Sequence, residues 1–68
     1  MPFELSTPTH TLLAEIADPA MKRADVAKTY ALVLHRDDVD WAKVNAAIIE
    51  RWSRAALKWI KEQAWKAT

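Results

Sequence analysis

The feature that most constrains this chain is that its 68 residues include no glycine. Glycine supplies positive φ angles and close backbone approach, so its absence excludes the glycine-rich phosphate loops of nucleotide-binding folds and the calcium loop of the EF-hand. Cysteine is also absent, which excludes disulfides and thiolate metal sites. A chain this short must therefore gain its stability from large side chains or from association with another subunit.

Apolar residues recur at helical spacing along the whole chain, and no stretch alternates as a β-strand would. This pattern predicts an all-α fold, a compact three- to four-helix bundle with a Trp-rich core, in one small domain of residues 1–68. Ser6 or Thr7, Asp18, Asp38 or Asp40, and Ser53 are suited to cap the helices, with Pro8 and Pro19 in first turns. The predicted helices are approximately 8–17, 19–35, 41–52 and 53–66, the last two possibly continuous.

Three of the four tryptophans are predicted to form the centre of the core, because each aromatic ring can bury about 150–250 Å². They are Trp41, Trp52 and Trp59. The residues expected around them share the helical stripes: Leu12, Leu13, Ile16, Val26, Tyr30, Val33, Leu34, Val44 and Ile48. Trp65 lies off the main apolar stripe and Leu32 points away from its own, so both are predicted to lie outside the core.

Charge is divided unevenly along the sequence. Residues 1–40 hold four basic and seven acidic side chains, a balance of −3, whereas residues 41–68 hold six basic and two acidic ones, a balance of +4. A basic helix face that carries a tryptophan is suited to nucleic acid, because cations attract phosphates and the ring can stack on bases. The residues expected to bind nucleic acid or another partner are Arg51, Arg54, Lys58, Lys61 and Trp65.

A second hypothesis is a protein-interaction or self-assembly module. Leu32, Leu57 and Trp65 are apolar side chains left over once the core stripes are assigned, and such residues often form a subunit interface. A short chain without disulfides or metals also gains stability by forming homo-oligomers. The alternative for both hypotheses is that these side chains form ordinary solvated surface.

The segment RADVAKTY resembles the first helix of a helix-turn-helix DNA-binding unit over Asp25 to Lys28. That unit implies a short turn soon after Tyr30, usually at a glycine, followed by a recognition helix. The apolar stripe instead continues to Leu34 and the chain has no glycine, so we do not assign the family.

No catalytic, cofactor or metal site is predicted. The segment HRDDVD places His35 near Asp37, Asp38 and Asp40, but carboxylates that cap the next helix explain the same residues. Ser6 and Ser53 are also interpreted as caps, no Ser/His/Asp set can be argued, and no small-molecule substrate is predicted. The sequence contains no run of about 18–20 apolar residues, the length that a membrane-spanning helix needs. We therefore expect a non-enzymatic, soluble, cytoplasmic protein.

Overall fold

A computed structural model describes residues 6–68 and contains four helices and no strand within that range. The prediction of an all-α bundle is confirmed. None of the helices is long and apolar enough to cross a membrane. The helices are α1 (Thr7–Ala17), α2 (Arg23–Leu32), α3 (Trp41–Arg51) and α4 (Arg54–Ala67).

Three of the four helices begin at a side-chain cap that the sequence predicted. The side chains of Ser6, Asp40 and Ser53 each accept a hydrogen bond from the backbone N–H three residues later, at 3.3, 3.1 and 3.0 Å. Ser53 has extended backbone angles, φ −175° and ψ 172°. Because an extended residue cannot belong to a helix, α3 and α4 are two helices, as the possible cap at Ser53 suggested.

The predicted start of the second helix is wrong. The Asp18 side chain accepts a hydrogen bond from the backbone N–H of Ala20 at 2.9 Å, so it stabilises a turn and does not cap a helix at Pro19. The helix begins four residues later, at Arg23. There the carboxylate of Asp25 accepts a hydrogen bond from the backbone N–H of Lys22 at 3.0 Å and holds the first turn.

The predicted end of this helix at residue 35 is also wrong, because α2 ends at Leu32. The amides of Val33 and Leu34 donate to carbonyls three residues earlier, at 3.2 and 3.4 Å, and not four residues earlier. This change from the α-helical to the tighter 3₁₀ hydrogen-bond pattern ends the α-helix. Residues 33–40 then form a connection that is anchored by the buried side chain of Val39. It is longer than the three or four residues of a helix-turn-helix turn.

The core lies where α2 packs on α4 and α1 packs on α3. Of the predicted core residues, Leu13, Val33 and Leu34 are partly buried against the core and not within it. Three residues of α4 that the predicted core left out are fully buried: Ala56, Ile60 and Ala64. The buried apolar residues are Leu12, Ile16, Val26, Ala27, Tyr30, Val39, Val44, Ile48, Ala56, Ile60 and Ala64.

The tryptophans do not form the centre of this core, which corrects the prediction. Trp41 and Trp52 are partly buried against its edge, and Trp59 is 41% exposed. The prediction placed Trp41, Trp52 and Trp59 on one apolar stripe that runs on past Ser53. The break at Ser53 gives α4 its own axis, and its buried stripe is the row of small and branched residues at i, i+4 and i+8 that starts at Ala56.

Trp41 has a local role beside the connection between α2 and α3. Its ring centroid lies 4.7 Å from that of Tyr30, and its indole N–H donates to the carbonyl of Arg36 at 3.1 Å. The Tyr30 hydroxyl donates to the Asn45 side chain at 2.9 Å. Burial raises the pKa of Tyr30, an effect that the hydrogen bond with Asn45 partly opposes. The phenol therefore stays neutral within the core at ordinary pH.

Candidate nucleic-acid interface

The candidate interface is the outward face of α4, opposite its buried stripe. At about 100° per residue, Arg54, Lys58, Lys61 and Trp65 fall within an arc of about 60°. All four are exposed. At about 1.5 Å of rise per residue, they extend over about 16 Å of the helix axis. The structure thus brings four of the five predicted binding residues onto one line.

An open groove runs beside this line. Ile49 of α3, Leu57 and the Trp65 ring give it apolar walls, and its volume is about 570 Å³. That volume is within the range of about 300–1,000 Å³ that accommodates small organic groups. The charged residues along it are Arg54, Lys58, Lys61, Glu62 and Lys66. Four positive charges face one negative charge, so the groove attracts anions.

Within residues 6–68, no carboxylate forms an ion pair within 4.0 Å with a basic side chain of this face. Among residues 6–68, the ion pair within 4.0 Å joins Arg36 and Asp38, at 2.7 Å, in the connection between α2 and α3. The hydrogen bond from Arg36 lowers the pKa of the Asp38 carboxyl. One acidic charge of this connection is thus paired with an arginine of the same connection. The cations of α4 remain available to an anion in solution.

Trp65 is 59% exposed, as predicted. It is nevertheless not a freely rotating surface side chain, because its ring contacts that of His35 at a centroid distance of 5.5 Å and an interplanar angle of 77°. Edge-to-face is a preferred arrangement of two aromatic rings. His35 follows the end of α2, so the α2–α3 connection orients the indole of Trp65.

Arg51, the fifth predicted binding residue, lies elsewhere. Its guanidinium donates to the carbonyls of Ile16, Asp18 and Met21 at 2.8, 2.9 and 2.7 Å, and to that of Glu15 at 3.5 Å. These include carbonyls that the end of α1 leaves without helical partners. Arg51 therefore holds the C-terminal end of α1 and the following turn, and we leave it out of the interface.

A second groove lies on the other side of α4, around the partly exposed tryptophans. Trp59 and Trp52 line it together with the start of α2. The guanidinium of Arg51 lies 4.2 Å from the centroid of the Trp52 ring, a cation–π contact. The charged residues that line this groove are Lys22, Arg23 and Arg51, all basic, and of these Arg51 is held by the carbonyls at the end of α1.

The three residues predicted for a subunit interface are not all together. Leu57 and Trp65 line the basic groove, but Leu32 does not. Leu32 is 83% exposed, which confirms that it points away from the core. Sequence reasoning missed Ile49 and Lys66 as parts of the groove. Lys66 directly follows Trp65 in the sequence, and this position could have predicted its place in the groove. The place of Ile49 could not be predicted, because it depends on how α3 packs beside α4.

Within residues 6–68, no group of three or more histidine, aspartate or glutamate side chains is placed to hold a metal ion. No protein-family model, curated protein or solved structure matches the chain.

Proposed function

We propose that this protein is a non-enzymatic module that binds nucleic acid through the outward face of α4. The observation that carries the proposal is the groove in which an exposed tryptophan lies among four basic side chains and one acidic one. Phosphates would pair with the cations, and the ring offers a surface for bases. The hydroxyls of Ser6 and Ser53 serve as helix caps, which supports binding without catalysis.

The affinity of such a face depends on salt, because bound phosphates release counterions. With three to four phosphate contacts on a single strand, the slope of about −0.7 per contact predicts that affinity falls roughly 20- to 50-fold between 50 and 200 mM salt. The measurement is fluorescence anisotropy with labelled DNA and RNA oligonucleotides. Absence of binding at 50 mM salt would contradict the proposal.

A charge-reversal pair tests which face binds. Arg54→Glu with Lys58→Glu removes two phosphate contacts, so the salt slope is expected to shrink by about 1.4 and affinity to fall by about tenfold or more. The matched control is Arg23→Glu with Lys28→Glu, which changes the net charge equally at exposed positions of α2. If the control lowers affinity as much as the α4 pair, the outward face of α4 is not the binding surface.

The second candidate function is self-assembly, favoured by the 83% exposure of Leu32. If a second copy of the chain covers this apolar side chain, its surface is removed from water and the assembly is stabilised. The expected result is a molecular mass above that of the monomer in sedimentation equilibrium, reduced to the monomer mass by Leu32→Lys. A monomer at high concentration for the unmodified chain would remove this candidate.

A further inference from the structure

We infer that the outward face of α4 selects single-stranded over double-stranded nucleic acid by stacking a nucleobase on Trp65. This inference rests on the proposed function and names the form of nucleic acid that the face takes. It depends on three features: the orientation of the Trp65 ring, the line of cations beside it, and the different surroundings of Trp59.

The Trp65 ring is oriented and still open. A planar ring has two faces, and the edge-to-face contact with His35 occupies at most one of them. The indole is 59% exposed. A base that stacks on it therefore meets a ring whose position is already restricted, and less side-chain freedom is lost on binding than for an unsupported tryptophan.

The cations lie where the backbone of a stacked strand would pass. Lys61 and Lys58 are on the same outward arc as Trp65, about one and two turns before it, respectively. A strand that follows α4 can place its phosphates beside these lysines while one base turns toward the ring. In a duplex, each base is already covered by its neighbours in the stack. Duplex phosphates can reach the lysines, but a duplex base reaches Trp65 only after it leaves the stack.

Trp59 provides a contrast on the same helix. It is 41% exposed and lies in grooves formed with α2, beside Ala24 and Lys28. The basic residues that line these grooves are Lys22, Arg23 and Lys28, from α2 and its N-cap, and Arg51, which holds the end of α1. The cations beside Trp65 instead follow one face of its own helix. If any exposed tryptophan of α4 were enough to stack a base, Trp59 and Trp65 would contribute equally. The inference assigns the contribution to Trp65.

The experiment compares labelled 12-nucleotide oligo-dT with a labelled 12-base-pair duplex at 50 mM salt, by anisotropy. The variants are Trp65→Leu, Trp65→Phe and the matched control Trp59→Leu, each checked for helicity by circular dichroism. Trp65→Leu is expected to lower single-strand affinity about 5- to 150-fold, the range for loss of one base stack, and to leave duplex affinity within about twofold. Trp65→Phe retains most of the single-strand affinity, and Trp59→Leu retains all of it.

The outcomes separate this inference from the proposed function. If the α4 charge-reversal pair weakens binding but Trp65→Leu changes neither affinity, the face binds phosphates without stacking, and the inference is wrong. An equal loss for single strand and duplex also overturns it. If the unmodified protein binds neither probe at 50 mM salt, the proposed function and the inference fall together.

Discussion

Trp59 and Trp65 lie on one helix, six residues apart, yet they face different surroundings. Trp59 borders the grooves that α4 forms with the start of α2, and the basic residues Lys22, Arg23 and Lys28 in those grooves belong to α2 and its N-cap. Trp65 borders a groove in which basic side chains predominate and is contacted by His35. The comparison teaches that two tryptophans of one helix can meet cations of different origin. Trp59 meets those of a neighbouring helix, whereas Trp65 meets those on the outward face of its own helix.

The same comparison applies to two arginines that lie three residues apart. Arg51 ends α3 and donates to carbonyls of α1 and the turn after it. Arg54 begins α4 and is exposed beside the basic groove. One arginine stabilises the fold and the other is available to a partner, although nothing in their own residue type distinguishes them.

The largest effect on stability is expected for Arg51→Ala. Hydrogen bonds that involve a charged group contribute about 1.5–3 kcal/mol each, but the carbonyls at this partly exposed site can be rehydrated. We therefore expect the free energy of unfolding to fall by about 2–4 kcal/mol in a urea titration. A core of this size rarely supplies more than about 3–5 kcal/mol, so the variant would be close to unfolding.

Two variants make the arginine comparison sharper. Arg54→Ala is the matched control and should change the free energy of unfolding by less than about 0.5 kcal/mol, because a solvated surface side chain is removed. Arg51→Lys should lie between Arg51→Ala and the unmodified protein, since an ammonium group cannot spread its donors as a guanidinium does. Equal stabilities for the alanine variants at positions 51 and 54 would contradict the role assigned to Arg51.

A smaller difference in stability is expected between the two tryptophans. Replacing a buried aromatic residue by alanine costs about 3–5 kcal/mol, and a partly exposed one loses less because water fills the space. From exposures of 41% and 59%, we expect losses of about 2 kcal/mol for Trp59→Ala and about 1 kcal/mol for Trp65→Ala. Urea unfolding followed by circular dichroism measures both. A larger loss for Trp65→Ala would mean that Trp65 supports the fold more than it serves the surface.

Much of the fold could be predicted because it depends on residues that are close in the sequence. The caps at Ser6, Asp40 and Ser53 act on amides three residues away, and the apolar stripes of α1 and α3 repeat within a few turns. The candidate site was also partly predictable, since Arg54, Lys58, Lys61 and Trp65 share one face of one helix. Ile49 was missed because its position in the groove depends on contact between α3 and α4.

The sequence by itself determined the helical class, most helix starts, and the exposure of Leu32 and Trp65, and it left open whether the helix breaks at Ser53. Only the tertiary structure decided that Arg51 holds the end of α1, more than 30 residues earlier, and that Trp59 is 41% exposed and not part of the core. The physical reason is the separation along the sequence between the residues that interact. A cap or a stripe is set by neighbours within a turn or two, whereas the burial of a ring or the partners of a guanidinium depend on which distant element packs against it.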